Sequence, residues 1–179
     1  MAIKMLISDL DGTLLGADSR IAPRTANALN QARRAGLRIL VATGRTWRTA
    51  SPLLWQAGVV CDFVLLNGAE YRTAEGDLQR FLSLPLDDAR YVVDILQQYN
   101  LGFEINADKG DFSTNTMLCN TAKPMPCLPY FWANNPQIRK IFAFSQDQIA
   151  LNYARQALSC LSETTVTASA PWNLEVTAR

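Results

Sequence analysis

With 179 residues and 49% hydrophobic content, the chain is long enough for one domain, or two small ones, around a real core. Its 17 basic and 16 acidic side chains leave a net charge of +1, which excludes the footprint of a nucleic-acid binder, and Arg33-Arg34 reads as a solvated helix face. Histidine is absent, so Ser-His-Asp and Cys-His catalysis, histidine general bases and histidine zinc sites are excluded together.

In chain order, Met1-Ala2-Ile3-Lys4 leads into an apolar strand over residues 4–8 without a signal-peptide pattern, and no apolar run reaches the length of a membrane span. A cytoplasmic chain with no membrane partner is expected. Residues 21–36 predict a helix, with Pro23 in its first turn and Gly36 as its C-terminal cap. Residues 38–42 then read as a buried strand, residues 46–57 as a helix interrupted or kinked near Pro52, and residues 63–66 as a third strand ending at Asn67-Gly68. Such β-α-β-α-β alternation predicts an α/β parallel sheet with right-handed crossovers.

After residue 70 the pattern changes. Residues 70–81 suggest a hairpin around Ala74-Glu75-Gly76-Asp77, and Leu84-Pro85 marks a boundary. Asp87 is a candidate cap for a helix with the apolar stripe Val92, Ile95, Leu96 and Tyr99. Strands are expected over residues 103–106, 111–116, 139–144, 164–168 and 173–177. Ser145 and Gln148 have capping-box spacing ahead of a helix with Ala150, Tyr153, Ala154, Ala157, Leu158 and Leu161 on one face. Together these predict an α+β insert of mostly antiparallel strands backed by two helices. The Pro- and Asn-rich stretch 119–136 carries Tyr130, Phe131 and Trp132, which read either as a substrate-selecting loop or, by preference, as packing for the insert. Lys109 and Lys123 could reach a phosphate, but lone loop lysines read by preference as solvated. Cys61, Cys119, Cys127 and Cys160 lack C-x-x-C spacing and are expected to be reduced packing thiols.

The chemistry concentrates in Asp9-Leu10-Asp11-Gly12-Thr13. Residues i and i+2 of a strand share a face, so two carboxylates look into one site where the strand breaks into a glycine turn. A hard divalent cation relieves their repulsion and accepts a substrate phosphate as a further ligand. One carboxylate then serves as a nucleophile toward phosphorus and the other as an acid and base. A bare DxDG is equally compatible with a plain turn after an edge strand. Its place on a buried-looking N-terminal strand favours function, as do Thr43 and Arg45, and then Asn67, at the ends of the next two strands.

These residues, with Val41-Ala42-Thr43-Gly44-Arg45 and Leu66-Asn67-Gly68-Ala69, resemble the haloacid dehalogenase superfamily, in particular its Cof-like subfamily with a type IIB cap. The resemblance implies an α/β, Rossmann-like core present in its N-terminal part (1–82), an inserted α+β cap (83–172), and a last cap strand or start of a return linker (173–179). It implies Asp9 as nucleophile and Mg2+ ligand, Asp11 as general acid/base and second Mg2+ ligand, and Thr43 as a catalytic hydroxyl on the phosphoryl oxygens. Gly12, Gly44, Arg45 and Asn67 are implied on the substrate side. The implied activity is Mg2+-dependent hydrolysis of small phosphorylated metabolites, especially sugar phosphates, through an aspartyl-phosphate. The alternatives are a phosphomannomutase-like phosphotransferase and a non-catalytic sugar-phosphate-binding fragment.

One departure accompanies the match. The family continues into a lysine motif and an acidic loop, whereas this sequence has no lysine after Lys140 and only Asp147 among aspartates after Asp111. The expectation is therefore a truncated form with weak or no activity, an open sheet edge, and possible self-association through the incomplete core.

Overall fold

A computed structural model describes residues 3–117 and 121–179, so Cys119 and the Met1-Ala2 lead lie outside the described residues. The chain divides into two compact units, Met1–Phe81 and Leu82–Arg179.

In the first unit, β1 (Met5–Asp9), α1 (Pro23–Arg34), β2 (Arg38–Ala42), α2 (Trp47–Gln56) and β3 (Asp62–Leu65) follow the expected alternation. The hairpin of β4 (Glu70–Arg72) and β5 (Leu78–Phe81) completes a five-stranded sheet in the order β1-β2-β3-β4-β5. The first three strands are parallel and the hairpin adds antiparallel edges. α1 begins on Pro23, whose missing N–H costs nothing there, and closes on Gly36. Gly36 has φ +93°, and Leu37 N donates to Ala32 O at 3.1 Å, which is the Schellman closure that glycine permits. Ala26 and Leu29 of α1 and Ala50 and Leu54 of α2 pack with Ile39, Val41, Phe63 and Leu65 in one apolar cluster. Burying such side chains stabilises by about 1.5–3 kcal/mol for each large residue.

Two expectations need correction in this unit. α2 is continuous through Pro52, so the expected interruption is absent although the proline removes one N–H donor from the helix ladder. β1 is not a buried strand. It lies at the sheet edge, and Met5 and Ile7, on one face, are 36% and 63% exposed. The cluster containing α1 and α2 takes up Leu6 and leaves the Met5/Ile7 face open among the described residues.

In the second unit, α3 (Leu86–Gln98), β6 (Gly102–Ala107), β7 (Gly110–Ser113), β8 (Lys123–Pro124), α4 (Leu128–Ala133), β9 (Ile138–Phe144), α5 (Gln148–Leu158), β10 (Thr164–Thr167) and β11 (Asn173–Ala178) form a second system. Its six strands run β10-β11-β9-β6-β7-β8, antiparallel except for the short β7/β8 pair. β11 pairs with both β9 and β10, so residues 173–178 belong to this sheet. Val92, Val93 and Leu96 of α3 and Leu151, Ala154 and Leu158 of α5 cover one face, against Phe103, Ile105, Ile141, Leu174 and Val176. The other face carries polar groups beside Phe142 and Phe144. Lys140 Nζ pairs with Glu175 Oε2 at 2.6 Å, both side chains being at least nine-tenths buried, and Asn106 donates to Glu104 and Asp111.

Helix starts and loops also differ from expectation. Asp87 is not the cap of α3: the N-cap is Pro85, and Asp87 and Asp88 sit in the first turn, where acidic charge suits the helix dipole. α5 is capped by Asp147, whose carboxylate accepts from Ile149 N and Ala150 N, while Ser145 Oγ accepts from Asp147 N. Ala150, Ala154, Ala157, Leu158 and Leu161 pack as expected, while Tyr153 is 55% exposed and stacks on Tyr99, and Leu151 joins the buried stripe. The described part of the 119–136 stretch holds β8 and α4. Phe131 is buried and Trp132 packs against the core, while Tyr130 is 66% exposed. Cys61 is the packing thiol expected, and burial pushes its pKa up to about 12. Cys127 and Cys160 are exposed. Among the described residues no helix is long and apolar enough to cross a membrane.

Candidate active site

The site grows from three strand ends of the first unit. β1 finishes on Asp9, and the chain turns at once around the fully buried Leu10, whose carbonyl accepts from Leu14 N and Leu15 N at 3.0 Å each. Gly12, at φ +75°, occupies the left-handed region that an L side chain resists, so the turn needs glycine. Its tightness brings Thr13 Oγ1 back to donate to Asp9 Oδ2 at 3.1 Å. The Asp9 carboxylate is exposed and forms no ion pair among the described residues.

β2 delivers the second group. Thr43 is buried, its N–H donating to Val64 O at 2.9 Å and its hydroxyl accepting from Arg45 N at 3.2 Å. The hydroxyl also reaches Asp11 Oδ2 at 3.4 Å. Arg45 then closes on Asp11 with a two-pronged grip: Nη2 donates to Oδ1 at 2.7 Å and Nε to Oδ2 at 2.9 Å. Arg45, first by hydrogen bonding and then by its charge, holds the Asp11 carboxyl below the usual carboxylate range, with burial opposing and Thr43 assisting. The same contact raises the Arg45 pKa.

β3 supplies the third end. Leu66–Gly68 forms a 3₁₀ turn in which Leu66 and Asn67 both have positive φ. Leu66 N donates to Arg45 O at 3.1 Å and Asn67 N to Thr43 O at 3.3 Å, stitching this turn to the loop after β2. The fold thus links Asp11, Thr43 and Arg45 directly and brings the Asn67 backbone beside Thr43, while Gly12 and Gly44 contribute backbone only. Two relations escaped the sequence reading. Thr13 was visible in the motif, but its bond to Asp9 depends on the turn. Arg45 was expected to face substrate, yet its head group engages Asp11.

A comparison of this sequence with family profiles decides the kinship: the profile of haloacid dehalogenase-like hydrolases matches residues 6–179. The chain belongs to that family. Among curated relatives, a 5-amino-6-(5-phospho-D-ribitylamino)uracil phosphatase of Bacillus subtilis is 32% identical over 99 residues, 54% of this chain and 37% of that protein. An HMP-PP phosphatase of Yersinia pestis is 32% identical over 105 residues, 59% of this chain and 38% of that protein. These matches span less than two fifths of the relatives' length. A solved haloacid dehalogenase-like hydrolase from B. subtilis superposes with a TM-score of 0.90 at 20% identity, covering 99% of this chain and 74% of that one. A subclass IIB sugar phosphatase does so at 0.77 and 19% identity, over 98% and 70% of the two chains, and these likenesses bear on fold alone.

Proposed function

We propose that the protein containing this chain is a Mg2+-dependent phosphatase of small phosphorylated metabolites that works through an aspartyl-phosphate on Asp9. The carrying observation is the contrast within one loop: the Asp9 carboxylate is exposed and without an ion pair among the described residues, whereas Asp11 is held by Arg45 and Thr43. The names of the curated relatives support the substrate class, one acting on a phosphorylated ribityl uracil and one on HMP-PP.

In this reading an Asp9 oxygen bonds to phosphorus as the bond from phosphorus to the leaving oxygen breaks. Asp11, which takes up a proton from solvent once Arg45 turns to the substrate phosphate, gives that proton to the leaving oxygen. It then takes a proton from water, whose oxygen displaces Asp9 from phosphorus and restores the free carboxylate. Asp11 acts as an acid only once Arg45 loosens its grip, and a substrate phosphate is a competing two-pronged partner for the guanidinium. The Thr43 hydroxyl, released in the same exchange, donates to a phosphoryl oxygen.

The exposed Asp9 carboxylate, with the backbone carbonyl of Asp11 as a further oxygen, fits Mg2+, a hard cation that binds through one or two carboxylates and substrate phosphate. Asp9 and Asp11 would hold it, and when bound it supplies positive charge against the phosphoryl oxygens.

The test is calorimetry with Mg2+ and tetrafluoroberyllate, a phosphoryl mimic, on the chain and on Asp9→Asn. Magnesium-dependent binding that disappears in Asp9→Asn is expected, and equal binding by the variant contradicts the assignment. In an active form of the protein, Thr43→Val should lower phosphate release by about 10²–10³-fold.

A further inference from the structure

The second unit contains a cavity of about 230 Å³ between β7 and α4, and no step at Asp9 uses it. Phe112, Tyr130, Phe131 and Pro136 give it an apolar, ring-lined wall, with Lys109 and Asn134 also lining it. The rings are already set edge to face: Phe112 and Phe131 lie 5.5 Å apart at 72°, and Phe131 and Trp132 5.0 Å apart at 69°. This is the arrangement in which aromatic rings attract, so a further flat ring finds complementary edges and faces. The volume falls below the roughly 300 Å³ at which pockets begin to hold drug-sized ligands, and it suits a single ring.

Charge specifies the rest of the ligand. Lys109 Nζ donates to Asn134 O at 2.7 Å, which leaves an ammonium with two further donors. Lys123 Nζ stands 6.0 Å from the centre of the Phe112 ring, and a Cβ placed on Gly110 would lie 3.7 Å from it, so it flanks the turn that carries Lys109. Neither lysine forms an ion pair among the described residues. The neighbouring acids are engaged elsewhere: Asp108 Oδ1 accepts from Gln137 N and Asp111 Oδ1 from Asn106. An aromatic cavity lined by Lys109, with Lys123 beside its Phe112 wall and neither ammonium in an ion pair among the described residues, complements a flat anion.

We propose that this cavity binds a small planar aromatic anion, one carbocyclic or nitrogen-heterocyclic ring bearing a carboxylate or phosphate. The ring sits against Phe112, Tyr130 and Phe131, and the charge is met by Lys109 and Lys123. The site lies wholly in the second unit, and its occupancy does not depend on Asp9.

The test is a nuclear magnetic resonance titration of the full chain with benzoate and a pyrimidine carboxylate, beside benzamide, cyclohexanecarboxylate and inorganic phosphate as controls. The two aromatic carboxylates should saturably shift Tyr130, Phe131 and the Trp132 indole N–H, binding at least about tenfold more tightly than the controls. Lys109→Met and Lys123→Met, both at exposed positions, should each weaken binding roughly threefold to tenfold, as should added salt. Asp9→Asn should leave it unchanged, which separates this site from the phosphoryl site. The proposal is overturned by any of three results: no saturation by ~10 mM ligand, controls that bind equally well, or lysine variants that bind as the parent does. Shifts of Tyr130 that follow protein concentration without ligand would assign the face to a second copy and overturn it as well.

Discussion

At the scale of single residues, the decisive contact is the grip of Arg45 on Asp11. It keeps Asp11 ionised, and its energetic value follows from exposure: the Arg45 and Asp11 side chains remain 34% and 50% accessible, so water screens the pair. Because the folded state lowers the Asp11 pKa from the usual 3.8, the contact stabilises above that value and the contribution is lost as pH falls through the lowered one. Arg45→Met should therefore cost no more than about 1 kcal/mol near neutral pH. The difference from the parent should vanish in acid, and urea unfolding across the acidic range checks this. Asp9 and Asp11 look equivalent as letters in a motif, and their environments separate them. That separation arises from a residue 34 positions away, which no local pattern encodes.

Among the secondary-structure elements, the pairing of β9 with β11 joins Lys140 and Glu175 on one face of the second sheet. Removing one member of a buried pair leaves the other charged and poorly solvated. Lys140→Met should accordingly cost about 3–5 kcal/mol, whereas Lys140→Met with Glu175→Leu should recover most of that loss in urea unfolding. The strands and helices that carry this pair were legible in the sequence because alternation and helical spacing are local signals. The helix starts were less so. Asp87 and Ser145 both satisfy the compositional rule for a cap, yet Pro85 and Asp147 occupy the capping positions. Several polar residues near a helix start can serve, and the path of the preceding chain selects among them. β8 and α4 within the proline-rich stretch were missed for a related reason: two and six residues are too few to show a period.

Across the whole molecule, β1 stands at an edge of the first sheet among the described residues. Ile7 is 63% exposed on a strand paired on one side, by β2. An apolar face beside unpaired backbone groups invites association with another chain. Ile7→Lys should lower concentration-dependent association measured by light scattering while changing stability by no more than about 0.5 kcal/mol, the usual range for surface substitutions. Equal association by parent and variant would remove β1 as its cause.

The sequence by itself determined the parallel β-α-β-α-β start, the change to an antiparallel α+β unit, and the aspartate motif whose glycine turn identifies the family. Each is written in residues a few positions apart, as a period, a turn or a capping signal. The tertiary structure alone decided that Arg45 closes on Asp11, that Lys140 and Glu175 are buried as a pair, and that β1 stands at an edge with Ile7 exposed. Those outcomes join groups 34 and 35 residues apart, or depend on which face the helices cover, and packing rather than local sequence sets both.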